Sequence, residues 1–388
     1  MSGGAGAGAA GAAASGAGTR RLAPDDVAAT WAEAAGPGRR PPLVVLDTLA
    51  AFLDAHAIGA AGAPPQVAPL GDGHSNVTLT VQRGATRVVL RRPPRGELPP
   101  SAHDVLREAG ILRALAGTGV PVPAVLATCA DPAVIGVPFV VLEQVDGVAV
   151  GDAVPAALDD PAQRRRIGFA FVDALAALHA VDWRATALAG SARPDGYLAR
   201  QLRRFGALWE RQRTRALPEM EAVAAWLERE LPPSGPPAVV HGDARLGNAL
   251  FAADPPARLV ALLDWEMATI GDPLADLGYL CAQWVDPGEP VDGMAALSAV
   301  TARPGFPRRD ELIARYAEQS GRSLERLRWY VVLALWKSAV FMEGNYARAL
   351  AGDSDDPFLR GFGTGVPDLA RRALALTEDA ADVSEPAR

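Results

Sequence analysis

At 388 residues the chain is too long for one small core, so two lobes or domains are expected. Its net charge of −7 argues against a general nucleic-acid binder, and its 2 cysteines, Cys129 and Cys281, lie too far apart in sequence for a metal knuckle or a disulfide framework. No apolar run reaches the roughly 18 residues of a membrane span, and residues 1–19 hold no Leu, Ile, Val or Phe for a signal peptide, so a cytoplasmic protein is expected.

Residues 1–20 are almost wholly Gly, Ala and Ser, which bury too little surface to offset ordering entropy and predict a disordered tail. Gly36 to Pro42 is a second weak zone. Residues 1–42 are thus expected to be tail and linker, with the folded chain beginning near Leu43 and a helix over Val44 to His56. Strand character follows in Gln66 to Leu70, Val77 to Gln82 and Thr86 to Arg91. Between the first two lies the polar loop Gly71-Asp72-Gly73-His74-Ser75-Asn76, whose N–H groups could drape over phosphates, although an ordinary hairpin looks the same.

The next helix is expected from about Ala102 to Ala116, opened by Ser101 with Asp104 three residues on, a capping-box pattern. At about 100° per residue, Val105, Ala109, Leu112, Leu115 and Ala116 form one stripe, and Glu108 falls inside it. A carboxylate on an apolar face needs a partner. The apolar strand Pro138 to Leu142 runs into Glu143-Gln144-Val145-Asp146-Gly147, a strand followed by a turn. A long helix over Arg164 to Val181 carries Ile167, Phe171, Leu175 and Leu178, with His179 beside them as a packed helix-end histidine. In Arg193 to Leu231, the residues Arg200, Arg204, Arg211 and Arg215 fall within about 60° of each other on a helical projection. That stripe is either a solvated face or a binding surface for an anion, and it suits a polycation poorly.

The most informative stretch is Ala238 to Leu280. Val239 and Val240 lead into His241-Gly242-Asp243, Asn248 follows, and the apolar run Leu259 to Leu263 ends at Asp264. Phosphoryl transfer needs a carboxylate beside the attacking hydroxyl and two oxygen ligands for Mg²⁺. Asp243 fits the base, with Asn248 and Asp264 as the metal ligands. Taken singly, each of these residues would more simply cap a turn or end a strand. Asp272 and Pro273 have the chemistry of an N-cap and N1 pair opening a helix through Trp284, with Asp276 one turn further on the same face. Trp329 to Leu350 reads as a buried helix, with Val332, Leu335, Trp336, Ala339 and Phe341 on or near one face. Lys337, Glu343 and Asn345 interrupt it, as pocket-lining or exposed residues. The tail after Glu378 is acidic and expected to fray.

His241-Gly242-Asp243, Asn248 and Asp264-Trp265-Glu266 resemble the catalytic and metal-binding motifs of aminoglycoside phosphotransferase-like, kinase-like enzymes. Leu90-Arg91-Arg92-Pro93-Pro94 with Pro100-Ser101-Ala102-His103 narrows the resemblance to the phosphotransferase domains found alone or fused to acyl-CoA dehydrogenases. The resemblance covers roughly residues 43–375. It implies an α+β, protein-kinase-like two-lobed fold, with a small antiparallel-sheet lobe for nucleotide over 43–147 and a larger, mostly helical catalytic and acceptor lobe over 148–378; residues 379–388 would be a frayed tail. It further implies ATP and Mg²⁺ as cofactors and phosphate contacts from Gly71, Gly73, His74, Ser75 and Asn76. Glu143 and Val145 would meet adenine at the hinge, His241 would have a structural role, and Asp272 would brace the catalytic loop. Where the family commonly has a third-strand lysine paired with the helix carboxylate, this chain offers Arg91 to Glu108, because its only lysine is Lys337. Arginine stays protonated and can fork onto carboxylate and phosphate.

The function implied is phosphorylation of a small-molecule hydroxyl, with a hydroxyacyl-CoA or hydroxy acid as acceptor and Arg200, Arg204, Arg211 and Arg215 beside it. An aminoglycoside or amino-alcohol kinase is the alternative enzyme. A nucleotide-binding pseudokinase acting on a partner such as an acyl-CoA dehydrogenase is the alternative without turnover.

Overall fold

The computed structural model describes residues 22–35, 40–71, 76–96, 104–289, 291, 299–352 and 357–378. Ordered structure begins ahead of Leu43. Strand β1 (Val27–Ala28) and helix α1 (Trp31–Ala34) precede β2 (Val44–Val45), which pairs in parallel with β1 and runs into α2 (Leu46–Ala55). Asp26, in the expected linker, accepts from Arg95 at 2.6 Å. Strand β1 and helix α1 fall between the Gly/Ala-rich tail and the weak zone at Gly36 to Pro42, inside the stretch expected to be tail and linker.

Then follow β3 (Gln66–Pro69), β4 (Val77–Arg83), β5 (Thr86–Arg92), α3 (Val105–Leu115), β6 (Val125–Cys129), α4 (Pro132–Ile135) and β7 (Phe139–Glu143). The sheet has the order β3-β4-β5-β7-β6 with every neighbour antiparallel. Side chains alternate across a strand, so β5 divides between two cores. Val88 and Leu90 pack with Leu49 and Leu53 of α2, whereas Val89 faces the core that holds Val105, Ala109 and Leu112 of α3. Arg91, two residues from Val89, is thereby aimed at α3 and the large lobe. Asp104 caps α3 by accepting from Arg107 N at 2.9 Å, so the cap is Asp104 itself; Ser101 lies outside the described residues.

The large lobe contains β8 (Val148–Ala149), α5 (Pro161–Ala180), α6 (Tyr197–Gln212), α7 (Pro218–Arg229), β9 (Ala238–Val240), β10 (Ala249–Phe251), β11 (Leu259–Leu262), β12 (Thr269–Gly271), α8 (Leu274–Gln283), α9 (Arg309–Ser320), α10 (Leu327–Ala351), α11 (Pro357–Arg360) and α12 (Phe362–Glu378). β9 pairs with β12 and β10 with β11, all antiparallel. These short ladders set the loop after β9 beside the loop after β11. Helix α10 is the lobe's apolar spine, with Val332, Leu335, Trp336 and Ala339 buried. Phe341 is 58% exposed. It stands half a turn from Val332 at about 100° per residue, so it cannot share that face. Among the described residues, no helix is long and apolar enough to cross a membrane.

Candidate active site

His241 is buried, and its ring fixes the start of the catalytic loop. Nε2 lies 2.9 Å from Leu263 O, and Asp243 N donates to Nδ1 at 3.3 Å. A carbonyl can only accept, so Nε2 carries the proton and Nδ1 the lone pair. Gly242 has φ +85°, and a Cβ there would come within 2.7 Å of Met267 O. The turn that exposes Asp243 therefore needs glycine.

Asn248 Nδ2 donates to Asp243 O at 2.9 Å and to Asp243 Oδ2 at 2.7 Å. Both partners are acceptors, so the amide nitrogen must face Asp243 and Oδ1 is turned away from it. Leu263 N donates to Asn248 O at 2.8 Å, which brings the neighbouring Asp264 to the same place. Asp264 has φ +64°, a left-handed conformation uncommon outside glycine and the kind of strain that gathers at functional sites. Arg245 Nε lies 3.4 Å from Asp243 Oδ2.

Arg91 bridges the lobes. Its Nη2 donates to Asp264 Oδ1 at 2.7 Å, and its Nε lies 3.0 Å from Glu108 Oε2, though out of hydrogen-bond alignment. Glu266 stands 3.7 Å away. Burial pulls the guanidinium down in pKa, and the three carboxylates more than offset it. Glu108, 2% exposed, is pushed up to about 7 by burial, against the pull of Arg91. Three carboxylates share one cation there, so the most buried of them is the one that holds a proton most readily. Asn76 Nδ2 donates to Glu266 Oε2 at 3.1 Å, tying the end of the glycine-rich loop to the Asp264 loop. Gly71 has φ +73°; Gly73, His74 and Ser75 lie outside the described residues. At the end of β7, Glu143 N donates to Ala124 O at 2.9 Å, and Val145, beyond it, is half-buried.

The brace of the catalytic loop is Asp276 rather than Asp272. Asp276 is buried; it accepts from His241 N at 2.6 Å and Gly242 N at 2.8 Å, and His179 Nε2 lies 3.1 Å away. Burial raises its pKa, while the His179 contact and the loop N–H groups more than reverse that, leaving it lowered. Asp272 instead accepts from Leu274 N at 3.1 Å and from the Tyr330 hydroxyl at 2.8 Å, joining the start of α8 to α10, and burial raises its pKa. The two acids are a helical turn apart, and packing of α8 aims only the second at the loop. His179 thus serves as the partner of Asp276, with Tyr316 OH 2.7 Å from its Nδ1.

The arginine stripe is broken. Helix α6 ends at Gln212, and Arg215 turns away to Glu343 at 2.9 Å. Glu343, fully buried, also accepts from Thr214 N at 2.9 Å, so it anchors the α6–α7 connection and does not line a pocket. Arg200 is held by the carbonyls of Asp195 and Arg193. Arg204 and Arg211 remain exposed. Two further residues lie beside the site: Tyr279, which the sequence does not single out, and Lys337, which the sequence offers as pocket-lining or exposed. Tyr279 has its phenol pKa raised well above the ordinary value by burial and by the nearby Asp243 carboxylate. Lys337 sits with its ammonium 4.7 Å from the centre of the Phe205 ring. Tyr279 follows Asp276 by three positions, the one signal that could have placed it on that face.

A family model described as the phosphotransferase enzyme family matches residues 66–330. The chain belongs to that family. It is a small-molecule kinase with a hydroxyl group as acceptor. The kinase is 36% identical over 314 residues to acyl-CoA dehydrogenase family member 11 of Gallus gallus, covering 79% of this chain and 40% of that protein. It therefore spans less than half the length of this relative. A solved structure from Ralstonia eutropha JMP134, provisionally named an aminoglycoside phosphotransferase, is 28% identical with a TM-score of 0.72, covering 86% of this chain and 98% of that one. A choline/ethanolamine kinase family protein of Mesorhizobium loti, at 20% identity and a TM-score of 0.53 over 85% of this chain and 95% of that one, shares the fold. The two-lobed, kinase-like α+β fold expected from the motifs is the fold of the kinase.

Proposed function

We propose that the kinase transfers the terminal phosphoryl group of ATP, as its Mg²⁺ complex, to a hydroxyl of an anionic small molecule, a hydroxyacyl-CoA or the related free hydroxy acid. The observation that carries this is the Asp243 carboxylate held beside the Asn248 amide, with Asp264 brought to the same place by the Leu263–Asn248 backbone bond and tied across the interlobe gap to Arg91. Asp243 would orient the acceptor hydroxyl and take its proton as the O–P bond forms. Arg91, kept charged by its carboxylates, would turn a guanidinium edge to the nucleotide phosphates. Residues 43–147 would carry nucleotide binding, with adenine at Glu143 and Val145, and 148–378 catalysis and acceptor binding.

The donor set fits a hard cation. Asn248 Oδ1 faces away from Asp243, and Asp264 has one oxygen beyond the one Arg91 takes. Mg²⁺ is usually bound by one or two protein oxygens together with phosphates and water. When bound, the ion would gather the phosphate oxygens and offset charge developing on them. The acyl class is supported by likeness to a protein named for acyl-CoA chemistry and by the exposed Arg204 on the acceptor side. An acyl-CoA dehydrogenase acting beside the kinase is the partner this suggests.

The test is a product assay with Mg·ATP and a panel of hydroxybutyrates, their CoA thioesters, choline and kanamycin, with the phosphorylated product read by mass spectrometry. Phosphorylation of the acids or thioesters with little on the amines is expected. Preferential phosphorylation of choline or kanamycin would overturn the acceptor class.

A further inference from the structure

Lys337 is the chain's only lysine, and the roles assigned above leave it without one. It projects from α10, half-buried, toward α6. Among the described residues, its sole close partner is the Phe205 ring; no hydrogen-bond acceptor and no carboxylate within 4.0 Å meets it. An ammonium has three N–H donors, and a ring face beside it is no carboxylate, so a half-buried one keeps its donors for water or for a ligand. The charges around it come from three elements: Asp276 on α8, Asp243 on the catalytic loop and Arg204 on α6. The lysine therefore lies within the field of the proposed base and of the acid that braces it, on the side where α6 and α10 wall the large lobe. Burial above all, with Arg204 beside it, lowers its pKa against the pull of the two aspartates, and the balance stands at about 8.

We propose that Lys337 is the specificity-determining residue of the acceptor site: its ammonium binds the acyl oxygen, carboxylate or thioester carbonyl, of a hydroxy acid whose hydroxyl meets Asp243. The inference rests on the acceptor class proposed above and names the group that recognises it. A carboxylate supplies the acceptor the ammonium lacks and cancels its repulsion from Arg204. An amino-alcohol would bring a second cation to the same place. Phe205 holds the ammonium at a fixed height through cation–π attraction without consuming its donors.

Lysine labelled with ¹³C at Cε gives one resonance in this chain, so the titration of Lys337 is read directly on the full-length kinase. The signal is followed against pH with Mg²⁺ and a non-hydrolysable ATP analogue, then with hydroxybutyrates carrying the hydroxyl at C2, C3 or C4, their CoA thioesters, and choline. The pKa near 8 is expected to rise by about one unit or more with the best acid, less with its thioester, and to stay put with choline. In turnover, Lys337→Met should raise KM for the acid about 10- to 100-fold while KM for ATP holds, and Lys337→Arg should recover most of the loss. A resonance unmoved by every acid and thioester, or moved equally by the nucleotide analogue alone, would overturn the assignment. A pKa that rises with an acid the wild type never phosphorylates would keep the acyl-oxygen site and reject the acceptor class instead.

Discussion

Asp276→Asn is the sharpest perturbation of the catalytic loop. The carboxylate is 1% exposed and accepts from two backbone N–H groups, at 2.6 and 2.8 Å, with His179 at 3.1 Å. An amide of the same shape keeps one acceptor oxygen and turns the other position into a donor, so at least one buried donor loses its partner. That loss costs about 1–3 kcal/mol, and the remaining bonds lose charge assistance worth about 1 kcal/mol each. A total near 3–5 kcal/mol is a large share of the roughly 5–15 kcal/mol that holds an ordinary domain. Because the pKa of Asp276 is lowered in the folded chain, its contribution is present at neutral pH and fades as pH falls through the acid range. Urea denaturation should show the full loss at pH 7 and nearly the full loss at pH 4, and the gap between wild type and variant should narrow only as pH falls below about 3.8. Displacement of Asp243 by about 1 Å would in addition lower kcat about 100-fold. Asp272→Asn, which touches Leu274 and Tyr330, should lose stability with kcat near that of the wild type. Stability of Asp276→Asn within about 0.5 kcal/mol of wild type, with normal kcat, would refute the brace.

Asp264→Ala should abolish Mg²⁺-dependent ATP binding by calorimetry, and Asn248→Ala should weaken it in the same direction; unchanged affinity in both would remove them as metal ligands. Glu108 has a folded pKa raised to about 7, so the folded state binds the extra proton and loses stability as pH rises from about 4.5 to 7. The wild-type stability measured relative to Glu108→Gln should therefore fall over that window, by at most about 3 kcal/mol, and a difference flat in pH would contradict the shift. Gly278→Ala would set a Cβ 2.6 Å from the backbone of Tyr330, so α8 and α10 must part and the melting temperature should drop by several degrees; a wild-type melting curve would show that the helices are less closely packed.

The parts of the site that were legible in the sequence lie where local chemistry and local geometry coincide. His241, Asp243, Asn248 and Asp264 sit at the ends of short strands, and alternation along β5 aims Arg91 at Glu108. What was hidden depends on packing between distant elements. Asp272 and Asp276 share a helix start, and only the close approach of α8 to α10 through Gly278 decides which of them reaches the loop. His179, Tyr279 and Lys337 come from three helices, and no spacing connects them to Asp243. The arginine stripe assumed one helix through Arg215, but Arg213 is already extended at ψ 131° and Pro218 opens the next helix. Phe341 is as hydrophobic as the buried residues of α10, but its angle puts it on the opposite side of that helix.

The central claim is that Asp243 takes the acceptor's proton while other groups hold the nucleotide. Single-turnover transfer from Mg·ATP to the best hydroxy acid, measured for Asp243→Asn beside its ATP affinity, tests it most directly. The account predicts a rate lower by about 100-fold or more with ATP affinity near that of the wild type. A variant that transfers phosphate at a near-normal rate would contradict it.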